Sequence, residues 1–300
     1  MAILVLVGLG AFVALGHFVA ALYLANLFTR SPRRRVRGTP ADAGLRYEEV
    51  QFHAADRVAL RGWFIESPGA RAVVAVIHDG DGTRADPERG LLSLQREYVR
   101  RGFQVLAFDL RGRGESAGSR DLLGGPELLD VVAAVAYAGR RAPGLPVLLH
   151  GFGLGASLAL AAAAAESPVA AVVADSPLAS MREQLQHCHP RVPRYLLALG
   201  YVVARRLFGA DVDALDPMAA VATAERVPVL FVCGEQAERV PPSHTLNLAA
   251  ASLSRQHEVW VASEAGHCEA FVRHPEEYVR RSLAFIELAV PARLPIASAV

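Results

Sequence analysis

Six short apolar runs recur through this chain: "AVVAVIH" (72–78), "FQVLAFD" (103–109), "PVLLH" (146–150), "AAVVAD" (170–175), "VPVLFVC" (227–233) and "HEVWVA" (257–262). Each is as long as a strand, and helical segments separate most of them. Continuous rather than alternating apolarity means burial on both faces, the situation of a parallel strand covered by crossover helices. The covering helices are expected over 87–101, 126–139, 154–166, 243–253 and 275–288. Ahead of them, "EEVQFHA" and "VALRGWFI" cluster β-formers around a short turn at Ala55–Arg57, which predicts an antiparallel hairpin. The expectation is an α/β fold: a mostly parallel twisted sheet with an antiparallel N-terminal hairpin and helices on both faces. Only the segment 176–224 breaks the alternation, with helical character in "REQLQHC" and "RYLLALGYVVARRLFG". An insertion at the carboxyl edge of such a sheet lies over the site as a small helical lid.

Composition bounds the rest. A chain of 300 residues, 52% hydrophobic, can build one large domain with an appendage. The appendage is visible at the start, since residues 2–28, "AILVLVGLGAFVALGHFVAALYLANLF", carry no charge apart from a titratable His17. As a helix this run exceeds a hydrocarbon core of about 30 Å, so it reads as a transmembrane anchor. The basic cluster Arg30, Arg33, Arg34, Arg35 and Arg37 follows the apolar run, where an export signal would carry it in front. The positive-inside rule then keeps the globular part in the cytoplasm. This divides the chain into an anchor (2–28), a basic linker (29–44), a globular domain (45–290) with its lid, and a C-terminal tail (291–300).

A net charge of +1, with 31 basic residues scattered among 30 acidic ones, provides no basic stripe and argues against a nucleic-acid partner. Cys188, Cys233 and Cys268 are odd in number and match neither a disulfide framework nor paired zinc-ligand spacing. "HCHP" (His187, Cys188, His189) has ligand types but no second cluster nearby. "DGDGTRAD" puts Arg84 and Gly90 where a calcium-binding EF-hand loop needs Gly and Glu. No metal and no cofactor is expected.

The most informative stretch is "LLHGFGLGASLALAAAAAE", residues 148–166, with glycines at 151, 153 and 155. Two readings fit it. Gly151, Gly153 and Ala156 satisfy the dinucleotide fingerprint G-x-G-x-x-G/A, and Asp175 follows at a distance suited to a ribose hydroxyl. That fingerprint normally opens its domain, whereas here several strands precede it. The same residues also outline a nucleophile elbow, G-x-S-x-G, with Gly153 at the apex.

Together with "VIHDGDGTRAD", "DLRGRGESAG", "ADSPLAS", "PVLFVCGEQAERVPP" and "EAGHCEAF", in that order, the elbow makes residues 46–288 resemble the α/β-hydrolase superfamily, in particular its small-lid, membrane-anchored bacterial esterase/peptidase-like branch. The resemblance implies a Ser–Asp/Glu–His triad in which serine attacks a carbonyl, histidine takes its proton and the acid orients the imidazole. Carried across, the nucleophile position holds Gly153, the acid position after "VPVLFVC" holds Ala237, and His267 alone stands at the base position. The oxyanion hole is expected from the backbone N–H groups of Gly80 and Leu154, with Asp79 replacing the usual loop glycine and Asp81 nearby. Substitutes are few: Ser157 one turn into the helix, Cys268 beside His267, Asp175 or the flanking Glu235 and Glu238 as acid, or a histidine–acid pair activating water directly. The resulting expectation is a membrane-anchored pseudo-hydrolase that keeps a pocket for an unnamed ligand or partner. An active ester or peptide hydrolase using His267, Asp175 and water is the alternative, and a dinucleotide-binding oxidoreductase the remote one.

Overall fold

The computed structural model describes residues 1–30, 33–165 and 168–289; the expected tail (291–300) and parts of the linker lie outside these. Eight strands form one sheet in the order β1-β2-β4-β3-β5-β6-β7-β8. β1 (Glu48–His53) and β2 (Ala59–Ile65) make the expected hairpin, and β2 runs antiparallel to β4 (Phe103–Phe108). From there β3 (Ala72–Ile77), β5 (Val147–Phe152), β6 (Val169–Asp175), β7 (Val229–Gly234) and β8 (His257–Ala262) are parallel. The apolar runs at 72–78, 103–109, 146–150, 170–175, 227–233 and 257–262 therefore became strands, shifted by a residue or two.

Helices cover both faces. α3 (Glu127–Arg141), α4 (Leu154–Ala164) and α8 (Pro242–Ala251) close one core around Leu149, Phe108 and Phe231. α2 (Leu91–Arg100), α9 (Ala270–Arg273) and α10 (Pro275–Ala289) close the other around Val74, Phe103 and Phe152. Every residue of β3 and β5 is buried, which is why these strands read as unbroken apolar runs. Burying each large side chain contributes about 1.5–3 kcal/mol, so the central strands dominate the stability of the domain.

Between β6 and β7 the chain leaves the sheet for the lid: α5 (Met181–Cys188), α6 (Arg194–Val203), a π-helical turn (Ala204–Phe208) and α7 (Pro217–Val221). The apolar N-terminal run is a single helix, α1 (Ala2–Thr29), long and apolar enough to cross a membrane. Its last three turns do not stand free, because Leu24, Ala25 and Phe28 form a third apolar cluster with Leu197, Tyr201 and Ala204 of the lid. The residues after α1 are also held, with Arg33 donating to the carbonyls of Gly114 (3.3 Å) and Gly118 (2.5 Å) and Arg34 paired with Glu88 at 3.1 Å.

Candidate functional site

The turn between β5 and α4 has the tight strand–turn–helix form of a nucleophile elbow. Gly153 sits at its apex with φ 53° and ψ −118°, a strained conformation for any side-chain-bearing residue, and its N–H donates to Asp175 O at 2.8 Å. The flanking glycines serve packing. A Cβ on Gly151 would lie 2.5 Å from Ala156 N, and one on Gly155 would lie 2.6 Å from Ile77 O, so larger residues would push α4 off the sheet.

What occupies the space above Gly153 is the carboxylate of Asp79, from the loop after β3. Its Oδ1 accepts the N–H of Gly80 at 2.7 Å and the N–H of Leu154 at 2.9 Å. These are the two donors expected to form the oxyanion hole, and both are already used. A Cβ added to Gly153 would overlap this same carboxylate, whose atoms are the nearest to that position. The sequence suggested an acid near the hole that would repel a developing oxyanion; instead the acid's own oxygen fills the hole.

The other oxygen of Asp79 faces one imidazole and two guanidinium groups. His267 Nε2 donates to Oδ2 at 3.1 Å, Arg89 Nη2 donates at 3.0 Å, and Arg239 Nη1 lies 3.9 Å away. Arg89 also pairs with Asp81 (3.1 Å) and Asp86 (2.5 Å), and Arg239 with Asp81 (2.7 Å). Burial alone would raise the pKa of Asp79, but the His267 hydrogen bond and the charges of His267, Arg89 and Arg239 hold it well below the usual carboxylate range. The side chains of Asp79 and His267 are only 6% and 7% exposed, so this ion cluster closes the centre against solvent. Arg89 and Arg239 escaped the sequence reading. The signal for them was the run of three acids at 79, 81 and 86, which a buried loop cannot hold without guanidinium partners.

Asp175 does not orient His267, which corrects its reading as substitute acid. Its carboxylate accepts from Ser176 Oγ (2.8 Å) and from Tyr278 OH (3.0 Å). Tyr278 OH in turn lies 2.7 Å from His150 Nε2, and His150 Nδ1 lies 2.7 Å from Tyr98 OH, making a buried chain that runs away from the elbow. Burial pushes Asp175 up to about 6 and His150 down to about 3. Neither His150, inside an apolar strand, nor Tyr278, in a charged helix, carries a spacing signal in the sequence.

The remaining candidates are placed as follows. Ala237 is buried and its methyl group provides no acceptor; among the described residues the contact of His267 Nδ1 is Cys268 Sγ at 3.8 Å, which lies 3.5 Å from Nε2. Glu235 is exposed and accepts from Glu264 N–H (3.3 Å), and the exposed Glu238 gives its carbonyl to His187 (2.8 Å), so neither carboxylate is hydrogen-bonded to His267. Ser157 is buried, and its hydroxyl is used by backbone groups: it accepts from Leu178 N–H (2.8 Å) and reaches the carbonyls of Leu178 (3.0 Å) and Gly153 (3.4 Å), a packing role between the elbow and the loop after β6. Cys268 is fully buried, and burial followed by the charges of Asp79 and Asp175 raises its thiol well above the ordinary range, which keeps it protonated and unreactive.

Among the described residues, Asp79, His267 and Cys268 bring ligand-type atoms within 4.8 Å of one another. The set suits a divalent cation poorly, because Arg89 and Arg239 already direct positive charge at the same carboxylate. The helix N-terminus where a pyrophosphate would rest is likewise taken by Asp79, and Asp175, the expected ribose partner, is fully buried; both observations go against the dinucleotide reading.

Residues 70–208 match the family model described as serine aminopeptidase, S33. The uncharacterized protein YfhR of Salmonella typhi is 28% identical over 281 residues, covering 87% of this chain and 88% of its own. The Pyrococcus furiosus esterase Pf2001 superposes with a TM-score of 0.72 at 23% identity, covering 87% of this chain and 98% of the esterase. The Penicillium α/β hydrolase GrgF superposes with a TM-score of 0.66 at 20% identity, over 82% and 99% of the two chains. The strand order, the elbow between β5 and α4, and the histidine loop after β8 agree with these comparisons: residues 70–208 resemble that hydrolase family, and the chain as a whole has the α/β-hydrolase fold.

Proposed function

We propose that this protein is a membrane-anchored pseudo-hydrolase, a cytoplasm-facing α/β-hydrolase domain that works by binding a ligand or partner instead of by acyl transfer. One observation carries the reading: the Asp79 carboxylate sits in the oxyanion hole, bonded to both Gly80 N–H and Leu154 N–H, over an elbow whose apex is Gly153. A working centre needs that hole empty to receive the oxyanion of a tetrahedral intermediate, and a side-chain nucleophile beneath it. Here the hole is filled and the nucleophile position has no side chain.

The water-activating alternative is disfavoured by the same geometry. The nitrogen that would take a proton from water is His267 Nε2, and it donates to Asp79 at 3.1 Å. The arginines that follow α1 support the cytoplasmic orientation through the positive-inside rule.

Fluorophosphonate labelling of detergent-solubilised full-length protein tests the proposal. Because the Asp79 carboxylate, though pushed aside by a new Cβ, stays tethered next to the apex and repels a developing oxyanion, Gly153→Ser with Ala237→Asp is expected to stay unlabelled, whereas adding Asp79→Gly removes that charge and gains labelling. Labelling of the double variant at the rate of the triple variant would show that Asp79 is no barrier, and the reading would fail.

A further inference from the structure

The lid helix α6 packs one apolar face inward and leaves a second one largely exposed, touched at Tyr195 by the His17 ring. Leu197, Gly200, Tyr201 and Ala204 pack inward, with a Cβ on Gly200 meeting Leu24 Cβ at 3.1 Å and the Phe28 ring at 3.3 Å. On the outer side Tyr195, Leu199 and Val202 follow one another at helical spacing and are 58%, 41% and 57% exposed. We propose that this outer stripe lies in the interfacial layer of the phospholipid bilayer that carries α1. The inference goes beyond the proposed function and rests only on its anchor.

The contact between α1 and α6 sets the depth. The ring of His17 in α1 lies tilted beside Tyr195 with centroids 5.8 Å apart, and Phe28 lies 5.6 Å from Tyr201, so α6 runs alongside α1 between these two levels. Within α1 the residues ahead of His17 extend over about 22 Å at 1.5 Å per residue, short of the about 30 Å hydrocarbon core. The hydrocarbon must therefore continue past His17, where the chain remains uncharged through Phe28. The side of α1 that α6 leaves open is apolar at these levels, with Val19, Tyr23 and Leu27 at 56%, 66% and 43% exposure. Lipid that covers this side of α1 also reaches the outer stripe of α6 beside it.

The polar neighbours suit the headgroup region. Tyr23 and Tyr195 are exposed aromatics of the kind that settle at a membrane interface. Arg205 and Arg206, just beyond the Phe28 end of α6, are exposed and place cationic groups where anionic phosphates lie. Embedding α6 ties the lid to the membrane surface, so that a membrane-borne amphiphile meets the lid before it meets the bulk cytoplasm.

Tryptophan depth measurement tests this in the full-length protein, reconstituted in phosphatidylcholine–phosphatidylglycerol vesicles whose acyl chains are brominated near the headgroup. Native Trp63 and Trp260 are buried, at 1% and 8% exposure, and give a constant background. Phe12→Trp reports the anchor, Tyr195→Trp and Leu199→Trp report the lid, and Val132→Trp on α3 is the remote control. Both lid variants should lose half or more of their added emission to bromine, close to Phe12→Trp, while Val132→Trp keeps its emission. If Phe12→Trp is quenched and the lid variants are not, the lid stands in water and the inference is overturned while the anchor stands. If Phe12→Trp is also unquenched, the anchor reading fails and the inference fails with it.

Discussion

Gly153→Ser is a measurable test of how tightly Asp79 fills the elbow. The apex conformation, φ 53° and ψ −118°, costs a side-chain-bearing residue about 1–3 kcal/mol of backbone strain. The new Cβ also displaces the Asp79 carboxylate, which breaks its bonds to Gly80, Leu154 and His267 and its ion pair with Arg89. Disrupting a buried ion network by removing one member costs about 3–5 kcal/mol. The single variant should thus lose about 4–8 kcal/mol, which for a domain of this size lowers Tm by roughly 8–20 °C. In an Asp79→Gly background the displacement has already been made, and the serine should cost only the strain, about 1–3 kcal/mol. Urea unfolding of the four proteins in a double-mutant cycle, followed by the emission of Trp63 and Trp260, should give a coupling of about 3–5 kcal/mol. A coupling near zero, with Gly153→Ser equally tolerated in both backgrounds, would refute the claim that Asp79 occupies the space above the apex.

Two further outcomes follow from the buried charges. Asp175 has a folded pKa near 6, raised above its unfolded value, so the folded state holds the proton longer and stability falls as pH rises from about 4 to 6. Asp175→Asn should remove its share of that fall and stabilise the protein above pH 6 by about 3 kcal/mol, read as a shallower decline of Tm between pH 4 and 7, the remainder coming from Glu127, which burial raises to about 7; a destabilised variant with the slope unchanged would contradict it. Arg89→Met leaves Asp79, Asp81 and Asp86 without their shared cation and should cost about 3–5 kcal/mol at pH 7, with much of the loss regained near pH 4 as the carboxylates protonate. An equal loss at both pH values, by urea unfolding, would mean that packing and not charge accounts for the effect.

The fold was readable because its central strands are buried on both faces and so announce themselves as unbroken apolar runs, and because Gly151 and Gly155 mark a turn where backbones touch. That Gly153 and Ala237 stand at the positions where the resemblance expects a nucleophile and an acid was equally plain, since spacing to a motif reports which residue stands there. What spacing does not report is where a side chain reaches. Asp79 was visible as a replaced glycine, but its insertion into the hole depends on the volume vacated at Gly153 and on Arg89, ten residues downstream, turning back to meet it. Asp175 failed as the acid for the converse reason: its position at the end of β6 was right, but Tyr278, from a helix more than a hundred residues away, takes its carboxylate. The packing of α1 on the lid was hidden too, because an apolar helix reads as a membrane span whether or not one of its faces is shared with protein.

The central claim is that the native chain performs no acyl transfer, and intact-mass measurement of the full-length protein after exposure to excess fluorophosphonate tests it most directly, with short-chain ester turnover measured on the same sample. An unchanged mass and a turnover equal to that of buffer are the predicted results. A single phosphonate adduct on the native chain, or ester hydrolysis that disappears with His267→Ala, would contradict it.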